Sequence, residues 1–345
     1  MRRRPTILTA AAGIVAAASL LLTGCVAGEG SASGATNSAG VTKGGTLNID
    51  FATYNPLSLV IKKEGWLEKA LKKQDITVNW VQSAGSNKAN EALRSGAIDV
   101  GSTAGSAALL ARSNGSQIKT IDIFSQPEWS AIVVGPNSTI TSVKDLKGKQ
   151  VAATKGTDPY FFLLQALEAN GLSAKDVTIQ NLQHADGWAA LQNGSVDAWS
   201  GLDPIMANAE KSGAKLIYRN VKFNTYGFLN ATESFLDSKP DVAQTVVNTY
   251  EYARAWAEKH PEETAKILSD VAGIDPAVAT TVITERTNLD VSNIPGNAQL
   301  AVLKKVGPIF VESGDVKSQT DIDKALDSLL DPTFAKKADP SAIGG

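Results

Sequence analysis

Two short stretches hold the residue types with most to offer a small ligand. Ser102, Thr103, Gly105 and Ser106 end an apolar run, and Gly156, Thr157 and Asp158 open a helical one. Small and hydroxyl residues at such junctions leave backbone N–H groups free, and a helix start adds the positive end of its dipole. Each set can therefore present neutral donors to an anion. Capping of the helix by the same hydroxyls is the competing use. Tyr54, Trp129, Tyr160, Trp199 and Tyr226 fall at predicted strand ends or in loops, where an aromatic ring either walls a cleft or fills a core. Asp203-Pro204 has the makings of an N-cap and first helical residue, so a structural role competes there with a ligand-facing one.

Reaction chemistry has fewer candidates. His184 and His260 are far apart in sequence and lack partners at ligand spacing, so both read as solvated or capping residues. Cys25 is the only cysteine, which excludes disulfides, a cysteine-based metal site and a cysteine nucleophile in the folded part. Gly101 to Gly105 (GSTAG) puts its hydroxyls at the wrong positions for a nucleophile elbow. Neither a Walker loop nor a G-x-G-x-x-G fingerprint occurs, so no cofactor is expected. Binding without catalysis and without a metal is the reading these residues support.

The elements that must position the two stretches belong to a repeat. LRSGAIDVGSTAGS (93–106) is echoed by LQNGSVDAWSGLDP (191–204): Leu93 matches Leu191, Gly96 matches Gly194, Asp99 matches Asp197 and Ser102 matches Ser200. A Gly just past a helical run is a left-handed stop, and the short apolar run after it reads as a buried parallel strand. In open α/β sheets the carboxyl edge of such strands is where ligands sit. Two such edges in one chain predict an α/β protein of two similar lobes facing each other across a cleft.

A chain of 345 residues, 43% hydrophobic and 20% charged, is large enough for two cores. Its first 24 residues belong to neither. Arg2, Arg3 and Arg4 precede an apolar run from Ile7 to Leu22, and Leu22-Thr23-Gly24-Cys25 follows at once. This is similar to a bacterial lipoprotein signal with its lipobox, which would make Cys25 the lipidated N-terminus of the mature protein. Loss of the three arginines from a chain of net charge −2 leaves the mature part at −5, which argues against nucleic acid as a partner. Residues 25–45 are Gly/Ser-rich and read as a flexible tether.

From Thr46 onward short apolar strands alternate with amphipathic helices. The first lobe is expected over 46–134, with the strand at 131–135 completing it, and the second over 135–228. A strand at 226–231 crosses back, and a helical tail from Glu233 is expected to pack on the outside of the first lobe. That places residues 229–345 with the first lobe.

The order and spacing of several segments carry a resemblance. YNPLSLVIKKEGWLEKAL (54–71), EALRSGAIDVGST (91–103), VKDLKGKQVAATKGT (143–157), LLQALEANGLSAKDV (163–177), GSVDAW (194–199) and WAEKHPEE (256–263) together resemble the substrate-binding lipoproteins of ABC importers for aliphatic sulfonates, with taurine and nitrate binders as relatives. The resemblance implies a two-lobed, type II periplasmic-binding fold. It implies a monomer on the extracytoplasmic face of the cell membrane, held there by its lipid, that captures a small organic anion for a permease and its ATPase. It places ligand contacts at Tyr54, Asn55, Ser83, Ser102, Thr103, Gly156, Thr157, Trp199 and Asp203. The chain departs from the pattern at Leu202, where sulfonate binders commonly have Trp, and at Ser106-Ala107-Ala108, where a Pro-rich segment is usual. Another small solute, nitrate-like or nitrogenous, remains an alternative. A pyrimidine-precursor enzyme of the same fold is a further one, although its cysteine-rich site cannot be built here.

Lipid anchoring gives the first testable outcome. Cys25→Ser is expected to move the protein from the membrane to the soluble or secreted fraction, as read by fractionation and immunoblot; unchanged membrane retention would refute the lipobox.

Overall fold

The computed structural model describes residues 41–343, so the signal, Cys25 and most of the tether lie outside the described residues. The chain begins with β1 (Thr46–Phe51), α1 (Pro56–Glu64), α2 (Trp66–Leu71), β2 (Thr77–Gln82), α3 (Ser86–Ser95), β3 (Val100–Ala104), α4 (Gly105–Ser113) and β4 (Ile118–Ser125). There follow β5 (Ser130–Val134), β6 (Gln150–Ala153), α5 (Asp158–Ala169), β7 (Thr178–Asn181), α6 (His184–Gln192), β8 (Ala198–Leu202), α7 (Ile205–Lys211) and β9 (Lys215–Arg219). The remainder is β10 (Gly227–Thr232), α8 (Glu233–Ser238), α9 (Pro240–Lys259), α10 (Pro261–Ala272), α11 (Pro276–Thr281), a π turn at Val282–Arg286, α12 (Asn297–Glu312) and α13 (Gln319–Leu329).

Local chemistry accounts for the repeat. Gly96 (φ 71°) and Gly194 (φ 76°) both take the left-handed conformation that stops α3 and α6. The two matched aspartates then stitch the next strand to its neighbour. Asp99 accepts the N–H of Asn48 at 2.8 Å and returns its own N–H to Asn48 O at 2.7 Å. Asp197 does the same with Gln150, at 2.8 Å in each direction. The strands proper therefore start just beyond each Asp.

Two five-stranded mixed sheets result, ordered β2-β1-β3-β10-β4 and β7-β6-β8-β5-β9. In each, the one strand that comes from the other half of the chain is antiparallel to its neighbours: β10 lies between β3 and β4, and β5 between β8 and β9. The strand expected to complete the first unit is thus part of the second sheet, so the crossing lies at residues 126–129 and not after 134. An all-apolar run such as SAIVV is buried on both faces wherever it sits, and so says nothing about which sheet it enters. The return crossing at 224–226 falls where expected.

The helical tail does more than cover the first lobe. α9 packs on α1 and α2, but α12 packs on α13, α4 and α5, and α11 on α7. Phe310 of α12 meets Phe161 of α5 at 4.2 Å between ring centroids. One buried apolar cluster runs from Leu109 and Phe228 through Phe310 to Phe161 and Val151. The expectation of a one-lobe tail fails because α12 presents apolar side chains to both lobes.

Removing the Phe310 ring should therefore reach beyond the first lobe. Phe310→Ala is expected to cost about 3–5 kcal/mol in denaturant unfolding; a loss below about 1 kcal/mol would mean that α12 does not brace α5.

Candidate functional site

Three helix starts meet between the lobes. α3 belongs to the first, α5 and α6 to the second, and the first N–H groups of each have no partner within their helix. Their approach is close. A Cβ added to Gly85, just before α3, would stand 2.9 Å from Nε2 of His184 at the start of α6. One added to Gly156, just before α5, would stand 3.6 Å from the Cβ of Asn87 in α3 and 3.9 Å from Leu110 in α4. Gly156 is left-handed at φ 76°. The dipoles of the three helices add at this place, which favours an anion.

The other stretch expected to hold an anion is engaged differently. The N–H groups of Gly105 and Ser106 at the start of α4 donate to Tyr226 O (3.1 Å) and Thr225 Oγ1 (2.7 Å) of the return crossing. Gly105 has to be glycine, since a Cβ there would lie 2.3 Å from Thr225 O. Asp158, also expected in the site, sits at this hinge as an acceptor. It takes Ser106 Oγ at 2.6 Å, Thr225 Oγ1 at 2.6 Å, Thr225 N at 2.9 Å and Trp129 Nε1 at 2.8 Å. Burial raises its pKa, and the four donors hold that rise back. Both crossings contribute a donor, so Ser106, Trp129 and Asp158 form one latch.

Several expected ligand residues turn out to be structural. Thr103 Oγ1 donates to Ala104 O and accepts from Asn230 within the sheet, so its hydroxyl does not face the cleft. Asn55 caps α1 and donates to the Tyr250 hydroxyl at 3.1 Å. Trp199 is fully buried against Trp188 and Gly187 in the second lobe, because β8 turns that position toward α6. Thr157 Oγ1 donates to Thr154 O, which leaves its backbone N–H as the group it can offer. Tyr54 stacks edge-on to Trp129 at 6.1 Å and donates to Ser102 O at 2.9 Å. These two rings face Asp203 and Arg286 across a gap of about 10 Å³, room for about one water. The lobes are shut.

Beneath the first lobe's edge lies Asp50, fully buried. It accepts Ser102 N at 2.8 Å and Ser102 Oγ at 3.1 Å, with the Ser83 hydroxyl as a further donor. Burial outweighs these donors and pushes its pKa up to about 7. Ser83 and Ser102, expected to touch ligand, thus support the floor of the cleft.

Two residues that tie or face the lobes escaped the sequence reading. Arg286 in the π turn bonds both oxygens of Asp203 at 3.1 and 3.2 Å and pairs with Glu210, clasping the tail to the second lobe. Asp203 also accepts Ala207 N at 2.9 Å in the first turn of α7, but from one residue ahead of the cap: Pro204 is the N-cap and Ile205 the first helical residue, not Asp203 and Pro204 as read from the sequence. Burial, partly offset by Arg286, lifts its pKa to about 6. No sequence signal marks Arg286. His184, expected to be solvated or capping, is 2% exposed and faces Gly85 across the lobes. A signal for it did exist: the repeat, run back one helix, aligns His184 with Ser86 as the first residues of α6 and α3.

Comparison with known proteins gives a consistent result. A family model described as NMT1/THI5 like matches residues 59–264. The chain is 33% identical over 295 residues, 83% of its length and 85% of the relative's, to a putative aliphatic sulfonates-binding protein of Bacillus subtilis. The alkanesulfonate-binding protein SsuA from Xanthomonas axonopodis pv. citri, solved bound to MOPS, superposes with a TM-score of 0.75 at 26% identity, covering 83% of this chain and 99% of that one. The periplasmic aliphatic sulphonate binding protein SsuA from Escherichia coli gives 0.71 at 28% identity, with 84% and 92% covered.

The raised pKa of Asp50 sets a pH dependence whose sign follows from proton counts. Between about pH 4 and pH 7 the folded protein holds a proton that the unfolded chain has lost, so stability falls as pH rises, by up to about 1.4 kcal/mol per unit. Asp50→Asn keeps an acceptor for Ser102 N and cannot ionise. It is expected to gain on the parent from pH 5 to pH 7.5 in denaturant unfolding, and parallel curves would refute the buried proton.

Proposed function

The chain belongs to the NMT1/THI5-like family, and we propose that it is the extracytoplasmic solute-binding component of an ABC importer that captures a small organic anion between its lobes. An aliphatic sulfonate or taurine is the solute class. The single observation that carries this reading is the meeting of three helix starts across the cleft, at Gly85, Gly156 and His184. Such a site holds a fully ionised head without a partner cation, because backbone N–H groups and helix dipoles share the charge. The sulfonate-binding names of the relatives agree with it.

Within this reading Gly156 and Thr157 offer backbone donors to the anionic head, with Tyr54 and Trp129 bounding the other end of the cleft. Ser106, Trp129 and Asp158 hold the hinge, and Ser83 and Ser102 brace the floor through Asp50. The two crossings, at 126–129 and 224–226, flex together as the lobes part and close. No helix of the described residues is long and apolar enough to cross a membrane; lipid on Cys25 keeps the protein, as a monomer, close to its permease and ATPase.

Calorimetric titration with short alkanesulfonates, taurine, nitrate and cationic amino acids tests the solute class, and X-ray scattering of the same samples tests closure. A sulfonate or taurine is expected to bind tightest and to reduce the radius of gyration. A cationic best ligand would overturn the placement of the anion site, and an unchanged radius with binding confirmed would overturn the clamp.

A further inference from the structure

The first residues of α3 and α6 are equivalent in the repeat but differ in how they are satisfied. Ser86 Oγ accepts the N–H of Ala104 at 2.9 Å, within its own lobe. His184 reaches out of its lobe. Its Nδ1 lies 3.2 Å from Thr154 Oγ1, whose own proton goes to Leu182 O at 2.7 Å. A hydroxyl has one proton, so Nδ1 must be the donor of the pair, and the proton of the neutral ring is then on Nδ1. Nε2 is left as a bare acceptor. Burial keeps the ring neutral, with its pKa pushed down to about 4.

That acceptor is buried and has no partner, and neither has Asn87 Oδ1. Both lie 2.9 Å from the position a Cβ would take on Gly85. Two buried acceptors from opposite lobes thus pack against Gly85, beside the helix starts assigned to the anionic head. Buried acceptors are met by donors in native structures, and among the described residues no group donates to either of these.

We propose that His184 Nε2 and Asn87 Oδ1 read a hydrogen-bond donor on the solute, a hydroxyl or amino group close to its anionic head, and so select substituted over plain alkyl anions. This rests on the reading of the cleft as an anion-binding site and adds which anions it prefers. An amino group can answer both acceptors and a hydroxyl one of them.

The test is calorimetric titration of the full mature chain with two matched sets. One is ethanesulfonate, 2-hydroxyethanesulfonate and 2-aminoethanesulfonate; the other is the carboxylate counterparts propanoate, 3-hydroxypropanoate and 3-aminopropanoate. In the parent, the donor-bearing member of a set is expected to bind at least about tenfold tighter than the plain one. In His184→Leu that ratio should collapse to within about threefold, and His184→Gln, which keeps an acceptor, should restore part of it. Because the chain has two histidines, a His260→Gln background leaves one imidazole, whose Nε2 nitrogen resonance should move with donor-bearing solutes and stay put with plain ones. Equal binding within a set by the parent would overturn the proposal, since Asn87 or a water would then be answering the imidazole. So would a preference that survives in His184→Leu. Carboxylates binding with the expected preference while sulfonates fail would overturn the sulfonate reading and uphold the acceptor pair. Binding of neither set would overturn both.

Discussion

A carboxylate buried without a cation must be answered by hydrogen bonds or take up a proton, and the arrangement of the two lobes depends on how Asp158 meets that demand. Its four donors come from the start of α4 and from both interlobe crossings. No single lobe could supply them. Because the bonds run to the hinge and not to the cleft mouth, they fix where the lobes are joined while leaving the far edge free to open. Once α4 is sealed by Thr225 and Tyr226, the helix starts left free where the lobes meet are those of α3, α5 and α6.

A second brace works from outside. The Arg286 clasp on Asp203 and Glu210 lies beside the first crossing, whose Glu128 N–H donates to Arg286 O at 2.9 Å, and the Phe161–Phe310 contact adds a second tie between the lobes. Arg286 is nearly all buried, so removal of one partner would strand a charge. Lobe parting must either break this clasp or carry the tail with the second lobe. The small gap between Tyr54, Trp129, Asp203 and Arg286 lies at that junction, which links the aromatic wall of the cleft to the clasp.

Much of this was legible in the sequence, for definite reasons. The glycine stops and the aspartates at 99 and 197 are local devices, and local devices leave a local signature. The alternation of strands and helices gave the two lobes, and Gly156 and Thr157 stand at the start of α5, where a helix is expected to open. What escaped is long-range. SAIVV reads as a buried strand in either sheet. The hydroxyls of Ser102 and Thr103 look available until Asp50 and Asn230 are folded against them. Trp199 faces the core because of its phase in β8, and Arg286 meets Asp203 across 83 residues of chain. For His184 the information was present in the repeat but weak, since Ser and His share no obvious chemistry.

The exchange of β5 and β10 also bears on how the protein can be made. The slot between β3 and β4 is filled only by residues 227–232. Until those residues are available, a chain that has already formed its first four strands carries two bare backbone edges, one on β3 and one on β4, the kind of surface that pairs with other chains. A fragment ending at residue 125 would keep those edges for good. Neither lobe can therefore be expressed or shuffled as an independent module, and a binding site moved to another scaffold would have to take both crossings with it.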